Sequence, residues 1–301
     1  MARGDLVTEM KWLRVIKNEV YKDSCNFGYV GAVLIVTLLA FTATAFTDNV
    51  NGRVYTVLET IFCFDIQTKK ITYELSWGSV FGKGLSGYIT MFIPIVTAFP
   101  TMVAFGASQN SGYARFEISR YESVRYWVCR FVSATICAGI CVTIGILLYA
   151  IVLLPFFPQI NDDMFSTGMD AALKGVLFKP WYAIVANMIF TSFVYGCVSV
   201  IPALLLSSFC RNPYIITCIP FVLSYSWGNI INKWIVAAYT DLNERLAENL
   251  SLLLPDASRQ IYLPDGISSN ELHIIMLQTA VIFTGLLVYI VIMRKKADCG
   301  K

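Results

Sequence analysis

FVSATICAGICVTIGILLYAIVLLPFFPQIN, running from Phe131 to Asn161, contains no Asp, Glu, Lys or Arg. A helix rises about 1.5 Å per residue, so about 20 such residues cross the ~30 Å hydrocarbon core of a bilayer. Five further stretches are free of charge: Phe27–Phe46, Leu85–Ala114, Pro180–Cys210, Asn212–Asn232 and Leu272–Met293. Inside hydrocarbon every backbone N–H and C=O must be satisfied within its own segment, and for single apolar stretches the helix does this. The fold class is therefore all-α integral membrane with six transmembrane helices. The spans fall at about 27–46, 85–106, 128–154, 181–206, 214–236 and 272–293, giving a membrane domain over 27–294. Residues 1–26 precede it and 295–301 form a short tail.

Composition agrees. The 301 residues are 56% hydrophobic and 14% charged, with a mean hydropathy of +0.62, too apolar for a soluble domain. A net charge of +3 gives no reason to expect a nucleic-acid partner. The placement of the basic residues matters more. Arg3, Lys11, Arg14, Lys17, Lys22, Arg115, Arg120, Arg125, Arg130, Arg211, Arg294, Lys295, Lys296 and Lys301 fall on one face, and they are 14 of the 23 basic residues. The positive-inside rule puts that face, and with it both termini, in the cytoplasm. Of the nine cysteines, most lie in or beside spans, and a single His at 273 leaves no zinc-like spacing, so free thiols are expected and no metal. Ala43-Thr44-Ala45 has the small-residue look of a cleavage site. The apolar run before it is too long for a signal peptide, and the first span reads as uncleaved.

Residues 5–22 show Leu6, Met10, Leu13, Ile16 and Val20 at helical spacing, with Lys11, Arg14, Asn18 and Lys22 opposite. This predicts an amphipathic helix in the headgroup layer, anchored by Trp12 and facing anionic membrane lipid; the alternative is a helix packed on the protein. The loop 47–84 carries strand-like pieces at Arg53–Leu58 and Lys70–Leu75 and a glycine-rich return from Gly78 to Gly87, and reads as a small lid. Asp162 and Asp163 mark the next loop on that face. Leu242, Leu246, Leu250 and Leu253 or Leu254 predict a surface helix over 241–254 lying against the bundle. Pro94, Pro100, Pro202 and Pro220 predict bends within spans.

The loop between spans two and three, SQNSGYARFEISRYESVRYWVCR from Ser108 to Arg130, interleaves charge and aromatic residues after a helix-breaking Gly112. Such a mixture suits a short helix resting on a partner, because aromatics and Arg make productive interface anchors. Gly112-Tyr-x-Arg-Phe, Ser119-Arg120 and Tyr126-x-x-x-Arg130 resemble the cytoplasmic turn of ABC-2 type permeases, the membrane subunits of bacterial ABC transporters. The six-span layout, the N-terminal helix and the helical segment before span six are similar too. The resemblance implies an ABC-2, type V exporter-like architecture in the bacterial plasma membrane, a second permease protomer of the same or a related chain, and separate cytoplasmic ATPase subunits that hold ATP and Mg. It further implies that Tyr113, Phe116 and Tyr121 fill a groove on the ATPase while Arg115, Glu117, Arg120, Glu122 and Arg125 orient the contact. By the same analogy, Phe92 and Phe99 of span two and Phe221 and Tyr225 of span five line a pathway at the dimer axis.

No glycine loop ending in GK[ST] occurs, so the chain offers no such site for ATP. The spans also lack a carboxylate pair, a Ser/His pair or a metal set, and no catalytic residue is expected. Three functions follow in order: an exporting transport subunit for a peptide, lipid or amphipathic compound; a membrane scaffold or sensor whose inner loop binds a signalling protein; and an ion-coupled carrier, disfavoured by the charge-free spans.

Overall fold

A computed structural model describes residues 2–48, 52–85, 88–112, 116–119, 123–158, 181–210, 212–240, 243–254, 257 and 269–298. In chain order these form α1 (Ala2–Ser24), α2 (Phe27–Phe41), β1 (Thr44–Asp48), β2 (Arg53–Thr56), α3 (Val57–Cys63), α4 (Ile66–Ile71), a single 3-10 turn (Tyr73–Leu75) and α5 (Trp77–Gly84). They continue with α6 (Tyr88–Asn110), α7 (Ser123–Leu153), α8 (Trp181–Ser199), α9 (Ile201–Ser207), α10 (Pro213–Thr240), α11 (Glu244–Ser251) and α12 (Ser269–Asp298). The helices of α6, α7, α8 with α9, α10 and α12 are each long and apolar enough to cross a membrane. A sixth crossing is reached only if α2 is joined to the end of α1 across a 67° bend. The chain is a multi-pass, all-α membrane protein.

The first span is shorter than its apolar sequence. At about 1.5 Å per residue the helix of α2 spans only roughly 22 Å. It starts at Asn26, whose side chain accepts from the Gly28 N–H, and it stops where the Thr42 hydroxyl donates back to the Leu39 carbonyl. Residues 44–46, predicted as the end of the span, instead begin β1, which pairs antiparallel with β2, Phe46 facing Tyr55, Thr47 facing Val54 and Asp48 facing Arg53. The β-branched Thr44 and Thr47 fit an extended chain better than a helix end.

The expected strand over Arg53–Leu58 is real only as far as Thr56. There the Thr56 and Glu59 side chains each bond the other's backbone N–H and start α3. Those bonds, the Thr56 N–H first, hold the Glu59 carboxyl below its ordinary range. The expected strand over Lys70–Leu75 is helical instead. Asp65 caps α4, and the helix carries the buried Lys69 to the Ile61 carbonyl, 3.0 Å away, with its ammonium 5.1 Å from the centre of the Phe157 ring. The glycine-rich return is α5, which docks: Trp77 stacks on Phe81, Trp77 donates to Ala150 O, and Tyr149 donates to Val80 O at 3.2 Å. A side chain at Gly84 would meet the Tyr149 hydroxyl. Residues 44–48 and 52–84 thus form a packed cap on one end of the bundle.

α7 is the central post. α2 runs beside it in the same direction, with Tyr29 donating to Cys137 O and Thr37 to Gly145 O. α8 crosses it where both helices carry glycine: a Cβ on Gly196 would lie 2.8 Å from Ala138 O and 2.9 Å from the Gly139 Cα. Backbones that approach this closely gain dispersion contacts that lipid cannot match, the usual basis of small-residue packing in membranes. α8 gives way to α9 at Val200, with Pro202 in the first turn of the new helix. Pro94 and Pro220 lie inside α6 and α10. Pro94 cannot bond the Thr90 carbonyl, and the Tyr195 hydroxyl of α8 donates to it at 2.7 Å instead.

The surface helix before span six exists as α11, capped by Asn243 and tied to α10 where Trp227 Nε1 donates to Leu253 O. Its buried residue is Ala247; of the leucine row, Leu250 is half-buried and Leu254 packs on Ala257 and Ile274, while Leu246 is exposed, so only part of the row faces inward; Leu242 lies outside the described residues, as do Asp162 and Asp163. α12 keeps its helix to Asp298, beyond the expected start of a tail at 295. The eight described cysteines are free thiols.

Because the neighbours of Gly196 are backbone atoms, they cannot rotate aside. Gly196→Val is expected to lower the melting temperature of the detergent-solubilised protein clearly, whereas Gly31→Val, with open space around it, leaves it nearly unchanged.

Candidate functional site

The loop between α6 and α7 and the helix α1 meet at one end of the bundle. α6 ends where Gly112 takes a positive φ of 73°, a conformation that favours glycine and turns the chain sharply after Asn110. Residues 116–119 then form a short helical piece before α7 begins at Ser123. Phe116 on that piece is 75% exposed. Its neighbour Glu117 turns the other way, with a side chain only 12% exposed, and takes Lys22 of α1 at 3.1 Å and the Tyr126 hydroxyl at 3.0 Å. The loop is thus fixed from behind by an ion pair and a phenol while its aromatic tip is left outside.

Behind Glu117 lies a charge cluster that is fully enclosed. Arg130, 2% exposed, points Nη1 at Glu19 Oε2 (2.9 Å) and at Asp23 Oδ1 (2.9 Å), and Nη2 at the Thr101 carbonyl (3.1 Å). Its guanidinium lies 5.0 Å from the centre of the Phe105 ring. Glu19 and Asp23 stand one turn apart on α1, and Val15 one turn earlier is buried in the same row. An aromatic collar closes the cluster: Trp127 meets Tyr126 (4.9 Å), Phe105 (6.4 Å) and Tyr289 (6.2 Å) edge-on, and Tyr289 also packs on Phe131 (5.7 Å). Since Tyr289 belongs to the last turns of α12, both the end of α1 and the end of α12 flank the first turns of α7. Farther out, Arg125 lies 5.2 Å over the ring of Trp12.

Several sequence expectations are redistributed by this arrangement. α1 packs on α7 with Val15, Glu19 and Asp23 buried in one row and Val20 of the expected apolar stripe beside them, and Trp12 has a protein cation as its neighbour. Tyr126 and Trp127, at the end of the aromatic-rich stretch, are core residues at 1% and 6% exposure. Glu117 is engaged within the chain. Phe116 is the outward aromatic among the described residues of the loop. Tyr113, Arg115, Arg120, Tyr121 and Glu122 lie outside the described residues. Glu19 and Asp23 were missed by hydrophobic periodicity; the signal available was an i, i+4 acidic pair on a helix whose other charges are mostly basic.

The expected pathway aromatics come together in part. Phe92 of α6 stacks on Phe221 of α10 at 5.3 Å, and Phe221 on Tyr225 at 6.5 Å, giving a three-ring ladder along the α6–α10 contact. Phe99, two turns along α6 from Phe92, is 45% exposed, and Tyr225 is 50% exposed. No protein-family model matches the chain, and no curated protein does either.

Removing only the cation from the buried cluster leaves two carboxylates enclosed without a partner, a change that typically costs about 3–5 kcal/mol. Arg130→Met is expected to lower the melting temperature in detergent sharply. Adding Glu19→Met and Asp23→Leu to it should restore most of the loss, since well-packed apolar residues can replace a buried ion triad at little cost. A harmless Arg130→Met, or a triple variant no more stable than Arg130→Met alone, would show that the three charges do not face one another.

Proposed function

We propose that the chain is the membrane subunit of an ATP-driven transporter of the ABC-2 exporter kind. In this reading it sits in a bacterial plasma membrane with both termini in the cytoplasm, beside a second protomer of the same or a related chain. Separate ATPase subunits bind ATP and Mg and supply the energy, and the cargo is a peptide, a lipid or an amphipathic compound. The observation that carries the reading is the contrast within the loop: Phe116 stands out while Glu117 is held by Lys22 and Tyr126. An exposed aromatic on a braced backbone is what a docking site for a soluble partner requires, because little order must be gained on binding.

The braced loop also gives a route for motion. A partner that moves Phe116 and the flanking residues Tyr113, Arg115, Arg120, Tyr121 and Glu122 moves Glu117, and with it Lys22 of α1 and Tyr126 of α7. Arg125 carries the same motion to Trp12. α7 packs on α2, α8 and α12, so a tilt imposed on its first turns is transmitted as rigid-body motion rather than lost in a soft loop. The ring ladder of Phe92, Phe221 and Tyr225, with Phe99 farther along α6, supplies an apolar face on which an amphipathic cargo could pass at a protomer interface.

Affinity purification of the intact protein in mild detergent, with Phe116→Ala/Arg120→Ala beside it, tests this. A nucleotide-binding ATPase identified by mass spectrometry with the unaltered protein, and reduced at least several-fold by the double substitution, is the expected outcome. A well-folded protein that retains no ATPase, even with candidate partners co-expressed, contradicts it and favours a scaffold or sensor role.

A further inference from the structure

Away from the loop, a cavity of about 530 Å³ lies among α6, α8, α9, α10 and α12 and is bounded on one side by the residues after α11. That is within the range of small-molecule sites, roughly 300–1,000 Å³. Pro94, Pro202 and Pro220, from three different helices, all reach its wall. Pro94 and Pro220 each remove a backbone donor inside a helix and crowd the preceding turn, and Pro202 sits in the first turn of α9 where α8 gives way. Leu223, Trp227, Leu253 and Val281 are each at least 40% exposed and line its more exposed side, three of them on α10 and α12 and Leu253 on the turn after α11.

The wall is apolar and, among the described residues, carries no Asp, Glu, Lys or Arg. Its buried hydroxyls are already engaged. Tyr195 donates to Thr90 O, and Ser199 bonds the Gly196 carbonyl and shares a 3.1 Å contact with the Thr97 hydroxyl. The Trp227 indole N–H is taken by Leu253 O. Gln278 differs. It is 4% exposed, and its side-chain oxygen has no hydrogen-bond partner among the described residues. A buried amide left with an empty acceptor is costly, and such groups in folded proteins call for a partner.

We infer that this cavity binds an uncharged, largely hydrocarbon molecule bearing one hydroxyl group, which enters from the bilayer and bonds the Gln278 carboxamide. A hydroxyl suits either end of the amide, since it can donate to the oxygen or accept from the nitrogen. A charged headgroup would find no counter-ion on the wall, and a pure alkane would leave the amide unsatisfied. The site goes beyond the transport reading and does not depend on it. A resident lipid and a cargo in transit share this chemistry.

The test uses the full-length protein in nanodiscs with a diazirine-bearing hexadecanol and, in parallel, the corresponding diazirine-bearing hexadecane. After irradiation, the labelled peptides are identified by mass spectrometry. Saturable labelling of α10 and α12 by the alcohol, displaced by unlabelled hexadecanol and not by hexadecane, is expected. Gln278→Leu should weaken half-saturation about tenfold, the loss of one hydrogen bond, and its melting temperature without probe should not fall. Ser224→Trp, which fills the cavity from α10, should abolish the labelling. Equal labelling by the alkane, absence of saturation, or unchanged binding in Gln278→Leu would overturn the proposal. Should Gln278→Leu fail to fold, the alcohol–alkane comparison and Ser224→Trp decide. Where a partner ATPase has been identified, loss of the label on adding ATP marks the occupant as cargo, and persistence marks it as a resident lipid. Because the labelling itself needs only this chain, its failure is distinct from the absence of an ATPase.

Discussion

The guanidinium of Arg130 is the point on which this end of the molecule depends. It is enclosed by Glu19 and Asp23 of α1, the Thr101 carbonyl of α6 and the Phe105 ring. A charge in such a place is tolerated only with partners, so the arginine dictates where α1 must lie and how α6 approaches α7. Everything nearby is arranged around that requirement. The aromatic collar excludes water, and the Lys22–Glu117 pair ties the loop to the same helix.

This constraint also separates two kinds of contact in the loop. Residues that face α1 and α7 are structural: Glu117, Tyr126, Trp127 and Arg125 are held by the chain itself. Phe116 is not. A partner bound there would act on a surface already coupled to two helices, and the helix–helix contacts at Gly139 and Gly196 are too close to absorb the movement. At the other end of the bundle, the packed cap of residues 44–48 and 52–84 holds α5 against Tyr149 and Ala150.

The membrane class and the spans were legible because absence of charge over 20 or more residues is a long-range signal that tertiary context rarely overrides. The ends were less legible. The uncharged residues 42–46 look like continued helix, yet β-branching and pairing with β2 turn 44–46 into strand. Lys70–Leu75 alternates as a strand would, yet a capping Asp65 and the demand of Lys69 for a carbonyl make it helical. Hydrophobic periodicity found α1 and Val20, which packs on the core, but not the neighbouring buried row, because that row contains two carboxylates that such a scale counts as solvent-facing. Their partner is 107 residues or more away along the chain, a separation that no local pattern encodes. Gln278 was visible as a polar residue in a span; that it lacks a partner beside a cavity reached by three prolines from three helices was not.

The most direct test of this account is cross-linking of Lys22→Cys to Glu117→Cys by a short bifunctional thiol reagent, in native membranes from a variant whose exposed cysteines have been replaced. The charged ends of the native side chains meet at 3.1 Å, so the reagent spans the gap that the Lys and Glu side chains fill. Rapid cross-linking that is lost when Arg130→Met releases the buried carboxylates is the result the account predicts. No cross-link in the otherwise unaltered protein, or one indifferent to Arg130, would mean that α1 lies apart from the loop and that the buried cluster does not organise this end of the molecule.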